Sequence, residues 1–285
     1  MKKIKAKAQG WRVADRRGKK KNRVPPFAPS QNEVKFYDSY IKRVLKDQSL
    51  PNRALTLGAT PELRDVAIEN GLESFAVDIS QKMMDKFSDL MRHKNHDLDI
   101  RSIKNWLAMD FPRDYFGIVM ADASFVNLAT RQENEKLMKI LKKIIPTGGF
   151  LLTRQVLYSD NYQPAEGPEE LVKLYRSKKI SWHDFYSELR LQFFKDQAYD
   201  KKKFQYDSNK GFKMIKKLHQ DGVLNAKEFG IMEEFANYVI NTFYPADVFI
   251  SLANKNNFKL EKVFKDKPFR FYQYLYMIAF KNNKK

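Results

Sequence analysis

The stretch that most constrains this 285-residue chain runs from Arg53 to Ser80. Residues 54–57 are a short apolar run, the pattern of a buried parallel strand. Gly58 ends the run, where a residue without Cβ lets the backbone turn and a ligand come close. Thr60 reads as a helix N-cap, with Pro61 in the first helical position and Glu62 in the first turn. Leu63, Val66, Ala67 and Asn70 keep helical spacing, and Gly71 stops the helix. Residues 75–77 form a second strand with Asp78 at its carboxyl end. A strand, a helix and a strand, with an acid about twenty positions after the first turn, is the layout of a nucleotide-binding half-fold.

What this unit lacks narrows the ligand. A dinucleotide site uses several glycines so that backbone amides can touch a pyrophosphate. Thr60 and Glu62 stand where the second and third glycines would be, and a carboxylate at Glu62 is expected to repel a pyrophosphate but not a cationic ligand. S-adenosylmethionine suits these residues: it carries a sulfonium, an amino-acid end, and ribose hydroxyls that Asp78 can accept.

With 43% hydrophobic and 14% aromatic residues the chain has enough apolar surface for a packed core. It has no cysteine, which excludes a disulfide framework, a thiol nucleophile and a cysteine metal site. No apolar run approaches the roughly 20 residues of a bilayer span, and no signal-peptide core follows Met1. The expectation is a cytoplasmic protein without a membrane partner. The net charge of +19 is unevenly placed. Residues 1–24 hold eleven Lys/Arg against Asp15 alone, and Lys281, Lys284 and Lys285 add three more, which leaves +6 for residues 25–280. The excess is therefore a tail property: an arm for nucleic acid, or a tail that only solubilises. Pro25, Pro26 and Pro29 suggest a stiff, extended linker after that tail, which is expected to have transient helix around Trp11.

Ser30 and Glu33 form a capping box that opens a helix through about Leu45, with Val34, Tyr37, Ile41 and Val44 on its apolar stripe. Ser80 caps a helix carrying Met83, Met84, Phe87, Leu90 and Met91; Ile79 and Met83 lie close enough to the strand end to line an adenine pocket. His93 and His96 fall in a polar loop with Asp97 and Asp99, and two histidines do not close a metal site. Residues 98–103, 116–121 and 150–155 read as further strands, with Asp122 ending the fourth and a helix over 132–145. Five alternations with short connections give a doubly wound, mostly parallel sheet. Its ligands bind beyond the carboxyl ends of the strands, so Gly58, Asp78, Asn105 and Asp122 should converge.

Taken together, residues 53–158 resemble a class I S-adenosylmethionine-dependent methyltransferase. The run Leu57, Gly58, Ala59, Thr60, Pro61, Glu62, Leu63 resembles a variant of the first motif, and residues 75–80 the second. Asn105 and Trp106 resemble the third, residues 121–128 the fourth, and Pro146 to Phe150 the turn before the fifth strand. Residues 258–264 and 269–280 are similar to the final antiparallel pair of that fold. The resemblance implies S-adenosyl-L-methionine as cofactor, with Gly58 and Ala59 at the methionine moiety, Asp78 at the ribose, and Leu57 and Thr60 also in the cofactor site. Asn105 and Trp106 would meet the adenine, beside Ile79 and Met83, and Asp122 would lie near the amino group or the reacting methyl, with Ala123 and Ser124 also in the cofactor site. Three positions depart from the pattern: Thr56 replaces an acid, the turn keeps one glycine, and Asn105 stands where Asp is common.

The expected organisation is a basic tail and linker over 1–29, a Rossmann-like core over 30–158, a helical cap over 159–245, and a last helix with two antiparallel strands over 246–285. The insertion should hold about four helices, starting at Pro168, Ser181, Ser208 and the capping box Asn225 to Glu228, and is rich in aromatics from Trp182 to Tyr238. Together these residues suggest a seven-stranded methyltransferase-type α/β fold acting on an unidentified methyl acceptor. The alternatives are a nucleoside-binding protein of the same fold without turnover, and a nucleic-acid-binding protein using the basic tail. Methyl transfer needs in-line geometry and a dry pocket more than a strong base, so no catalytic residue is assigned.

Overall fold

In the computed structural model, residues 23–158, 167–193, 195–234, 239–267 and 270–284 are described. Helix α1 (Gln31–Lys46) precedes strand β1 (Arg53–Leu57), then α2 (Pro61–Glu69), β2 (Glu73–Asp78), α3 (Gln81–Ser88), β3 (Asp99–Ile103), β4 (Ile118–Asp122), α4 (Arg131–Ile144) and β5 (Phe150–Val156). The sheet closes with α10 (Ala246–Lys255), β9 (Phe258–Phe264) and β10 (Leu275–Asn282). Its order is β3-β2-β1-β4-β5-β10-β9. The first five strands are parallel, and β10 lies antiparallel between β5 and β9. The sheet is the doubly wound, mostly parallel seven-stranded one expected. Insertion of an antiparallel strand after β5 sets it apart from the 3-2-1-4-5-6 order of dinucleotide-binding sheets.

Alternation along each strand decides which helix it buries. Ile118 and Met120 of β4, with Met277 and Ala279 of β10, face α1 and α2 through Tyr37, Ile41, Leu63 and Val66. Val119, Ala121, Ile278 and Phe280 face the other way, onto Leu137, Met138 and Leu141 of α4 and Phe249 and Leu252 of α10. Helix α1 begins at the expected capping box, in which Ser30 accepts from the Glu33 amide and Glu33 accepts from the Ser30 amide. Helix α3 is shorter than expected and ends at Ser88; Met83, Met84 and Phe87 pack on Ala59 and Ala76. Arg64 is fully buried and grips Asp99 at the start of β3 with Nε at 3.0 Å and Nη2 at 2.5 Å, which joins α2 to the sheet edge.

The insertion is not purely helical. Besides α5 (Pro168–Arg176), α6 (Trp182–Glu188), α7 (Lys195–Ala198), α8 (Ser208–Gln220) and α9 (Ala226–Glu234), it builds a small antiparallel sheet from β6 (Tyr199–Asp200), β7 (Gln205–Asp207) and β8 (Ile240–Thr242). Strands of two or three residues are too short for alternation to show in sequence. Ser181 caps α6, Asn225 with Glu228 forms the expected box at α9, and α8 opens at Ser208 as expected, capped by Asp207. A π-helical turn, Leu189–Phe193, follows α6 directly. Strand β10 starts at Leu275, preceded by a 3₁₀ turn over Arg270–Gln273, so the last strand is shorter than the pattern over 269–280 suggested. The expected tail helix near Trp11 and the aromatics Phe235 and Tyr238 lie outside the described residues.

Candidate functional site

A cavity of about 210 Å³ opens beyond the carboxyl ends of β1, β2, β4 and β5, with the insertion as its roof. On the sheet side its wall is Leu57, Gly58, Ala59 and Thr60 from the β1 turn, Asp78 from β2, Met83 and Phe87 from α3, and Asp122, Ala123 and Ser124 from β4. Trp106 closes this end. Ten of the twelve residues singled out in the sequence thus meet in one place. Asn105 and Ile79 do not line it. The Asn105 side chain accepts the Leu107 amide at 2.9 Å and caps a 3₁₀ turn. Ile79 contributes its backbone N–H to the Asp78 carboxylate.

Local geometry explains the residues at the β1 turn. Gly58 has φ +116°, a conformation open to glycine, and its amide bonds Val77 O at 2.8 Å. A Cβ there would meet Asp78 Oδ2 at 3.8 Å and the Trp106 ring at 3.9 Å, so the space is narrow and framed by the acid and the indole. Trp106 Nε1 donates to Val77 O at 2.6 Å, which fixes the ring against the turn. Ser124 Oγ donates to Leu57 O at 2.6 Å and ties the ends of β4 and β1. Ala123 sits at φ 52°, held by its amide on Arg154 O (2.7 Å) and by Asn127 Nδ2 on its carbonyl (3.0 Å). A non-glycine held there stores strain of order 1 kcal/mol or more, and such strain concentrates at functional sites.

Asp78 is the acid that lacks compensation. Burial raises its pKa from the ordinary 3.8 to about 6, opposed only by the Ser80 and Ile79 amides. No cation among the described residues pairs with it. A half-buried carboxylate short of donors, on a cavity wall, suits a ligand that brings hydroxyls.

Asp122 lines the cavity with its carboxylate already engaged. Its Oδ1 accepts from Arg154 Nε at 2.6 Å, and its Oδ2 accepts from Thr60 Oγ1 at 3.3 Å. Arg154 also reaches Glu33 at 3.3 Å and Ala28 O at 3.1 Å. Burial opposes the Arg154 charge, yet Asp122 and Glu33 hold its pKa above the usual arginine range. The Asp122 carboxylate is therefore neutralised, and Thr60 spends its hydroxyl on it; Thr60 occupies the N-cap position of α2 without a capping bond. Glu62 is not among the lining residues. Arg23 takes its carboxylate, with Nε at 3.2 Å and Nη2 at 2.5 Å, and stacks on Phe87 at 4.5 Å. Repulsion of a pyrophosphate by Glu62 thus loses its footing, and the strand order is what separates this sheet from a dinucleotide fold.

Several lining residues escaped the sequence reading. Arg23 approaches from the end of the basic tail, and Pro26 and Phe27 from the segment taken for an extended linker, which instead turns, with Val24 O accepting from the Phe27 and Ala28 amides. Tyr186, Ser187, Arg190 and Leu191 come from the insertion, and Asn241 and Phe243 from β8 and its end. Arg154 alone carried a signal: one arginine in an otherwise apolar buried strand needs partners. His183 packs on Phe27 and Trp182 outside the lining, and burial pulls its pKa down to about 4, so it is neutral at pH 7. His93 meets Glu69 at 3.1 Å and His96 accepts the Leu98 amide; among the described residues no three His, Cys, Asp or Glu side chains cluster as a metal site. No helix among them is long and apolar enough to cross a membrane.

No protein-family model matches the chain, and no curated protein matches it in sequence. Solved structures do. A Rhodobacter sphaeroides protein assigned as a Zn-dependent alcohol dehydrogenase aligns at TM-score 0.60 and 13% identity, covering 98% of each chain. The CcbJ methyltransferase from Streptomyces caelestis aligns at 0.55 and 12%, covering 98% of this chain and 99% of that one. The N-methyltransferase NodS from Bradyrhizobium japonicum WM9, crystallised with S-adenosylhomocysteine, aligns at 0.53 and 8%, covering 96% and 99%. At these identities the likeness is one of fold. That fold is the Rossmann-like one of class I methyltransferases.

Proposed function

We propose that this chain binds S-adenosyl-L-methionine and transfers its methyl group to an acceptor held under the insertion. The observation that carries the reading is Asp78: a half-buried carboxylate without a cation partner among the described residues, beside the glycine turn, in the β3-β2-β1-β4-β5-β10-β9 sheet. The fit extends along the wall. Asp78 would accept the two ribose hydroxyls, Met83 and Trp106 would flank the adenine, and the Gly58 and Ala59 backbone would run beside the methionine moiety. The bound cofactor would supply an electrophilic methyl on a sulfonium that leaves as a neutral thioether. The protein's share is to align the acceptor behind that methyl and to exclude water. Asp122, neutralised by Arg154, holds the β4 turn and Thr60 in position and is not assigned as a base. The basic tail, residues 1–22, is proposed as an arm for nucleic acid, on its charge alone.

Calorimetric titration with S-adenosylhomocysteine and with NAD tests the cofactor. The first should bind and the second should not; NAD binding as tight or tighter would overturn the reading. Detection of a methylated product separates turnover from binding alone.

A further inference from the structure

Three arginines reach the cavity, and two are neutralised by carboxylates: Arg23 by Glu62, and Arg154 by Asp122 and Glu33. Arg190 is different. Its Nη2 donates to Ser208 Oγ at 2.9 Å and Asn241 Oδ1 at 2.8 Å, and its guanidinium lies 5.2 Å over the Tyr206 ring. Those partners are all neutral, and no carboxylate among the described residues pairs with it. The Tyr206 hydroxyl also lies beside the guanidinium, and Nε and Nη1 reach no charged partner among the described residues. The group is also held still: Ser208 Oγ donates to Asn241 Oδ1 at 3.1 Å, Asn241 Nδ2 donates to Val126 O at 3.0 Å, and Tyr206 Oη donates to Arg190 O at 2.7 Å. A half-buried cation oriented by neutral groups and left open on its cavity side is costly unless an anion completes it. Arginine binds carboxylate and phosphate groups through such oriented donors.

We propose that Arg190 binds an anionic group, carboxylate or phosphate, on the methyl acceptor and so selects it. The proposal rests on the methyltransferase reading above. Arg190 and its supports Tyr206, Ser208 and Asn241 all belong to the insertion, and their tie to the core is at Val126, just past β4. Asp78, at the cofactor end, belongs to β2, two strands from β4, or about 10 Å at the usual strand spacing. The π-helical turn that presents Arg190 and Leu191 to the cavity is a rare element found often at functional sites.

The test titrates inorganic phosphate and, separately, acetate into the full-length wild type, Arg190→Gln and Arg190→Lys, each with and without saturating S-adenosylhomocysteine. Using full chains in every arm cancels anion binding by the tail. The wild type should bind one or both anions at least tenfold tighter than Arg190→Gln, with Arg190→Lys between them, and the stronger anion identifies the acceptor's group. S-adenosylhomocysteine affinity should stay within twofold in both variants, and anion and cofactor product should bind together. Equal anion binding by wild type and Arg190→Gln overturns the proposal. So does competition between phosphate and S-adenosylhomocysteine in the wild type, because Arg190 would then hold the cofactor's own carboxylate. That competition needs no variant, so it decides even if Arg190→Gln misfolds. A wild type that binds the anions through Arg190 but not S-adenosylhomocysteine would sink the methyltransferase reading and, with it, the acceptor assignment.

Discussion

A carboxylate placed at a strand end, as Asp78 is, loses water on folding before any ligand replaces it. In the ligand-free protein its pKa of about 6 lies above the ordinary 3.8 because of burial. Between those values the folded state holds more protons than the unfolded one, so stability falls as pH rises from about 4 to about 6. The loss, up to about 3 kcal/mol, persists at neutral pH. Asp78→Asn should therefore make the ligand-free protein more stable at pH 7 and flatten its urea midpoint between pH 4 and 7. It should also weaken S-adenosylhomocysteine at least tenfold, because a carboxamide is a poorer acceptor for two hydroxyls. The wild type should itself bind about tenfold more weakly at pH 5 than at pH 7.5, as the carboxylate protonates through about 6. Unchanged affinity in a folded Asp78→Asn would reduce this residue to a turn former. Gly58 and Asp78 were legible because each does its work within a few residues of a strand end. The role of Asp122 was not, because its partner Arg154 lies 32 positions away.

At the scale of elements, Arg154 of β5 is the stitch that no local pattern announces. It draws together Glu33 at the start of α1, the end of β4 through Asp122, and Ala28 in the segment before α1. Sequence periodicity located those elements because each buries one face, and the α1 capping box is a four-residue signal. Periodicity says nothing about a charge network whose partners are 121 residues apart. For the same reason the insertion was read as helices: β6 to β8 have two or three residues each and gain their order from pairing, not from pattern. Removing one partner from a buried ion network leaves the others uncompensated. Arg154→Leu should cost about 3–5 kcal/mol in a urea titration. Lowering the pH toward 4 should narrow that difference, because burial already raises the Glu33 pKa and protonation relieves that stranded carboxylate. A loss below about 1 kcal/mol would mean that water reaches the network and that its burial is only apparent.

On the scale of the whole molecule, the N-terminal segment divides at a point that charge alone does not mark. Residues 1–22 carry +9, while Arg23, the next residue, is already part of the cavity wall through Glu62 and Phe87. Phe27 sets its ring edge-on to Trp182 at 5.6 Å and Tyr186 at 6.3 Å, so this segment also joins the insertion to the sheet. Two truncations separate the tail from the site. Removing residues 1–22 takes away +9 of the net +19, all of it from one contiguous segment. It should abolish retention on RNA at moderate salt and flatten the salt dependence of whatever binding is left. S-adenosylhomocysteine affinity should be unchanged, since Arg23, Asp78 and the β1 turn all remain. Removing residues 1–29 deletes Arg23, Pro26 and Phe27 from the lining and the Ala28 carbonyl from Arg154, and frees Glu62. That truncation should lower S-adenosylhomocysteine affinity at least tenfold and reduce the melting temperature. Loss of cofactor affinity on removing only residues 1–22 would extend the binding site into the basic tail. Full RNA retention after the same deletion would move the polyanion surface onto the folded body, where residues 25–280 hold +6.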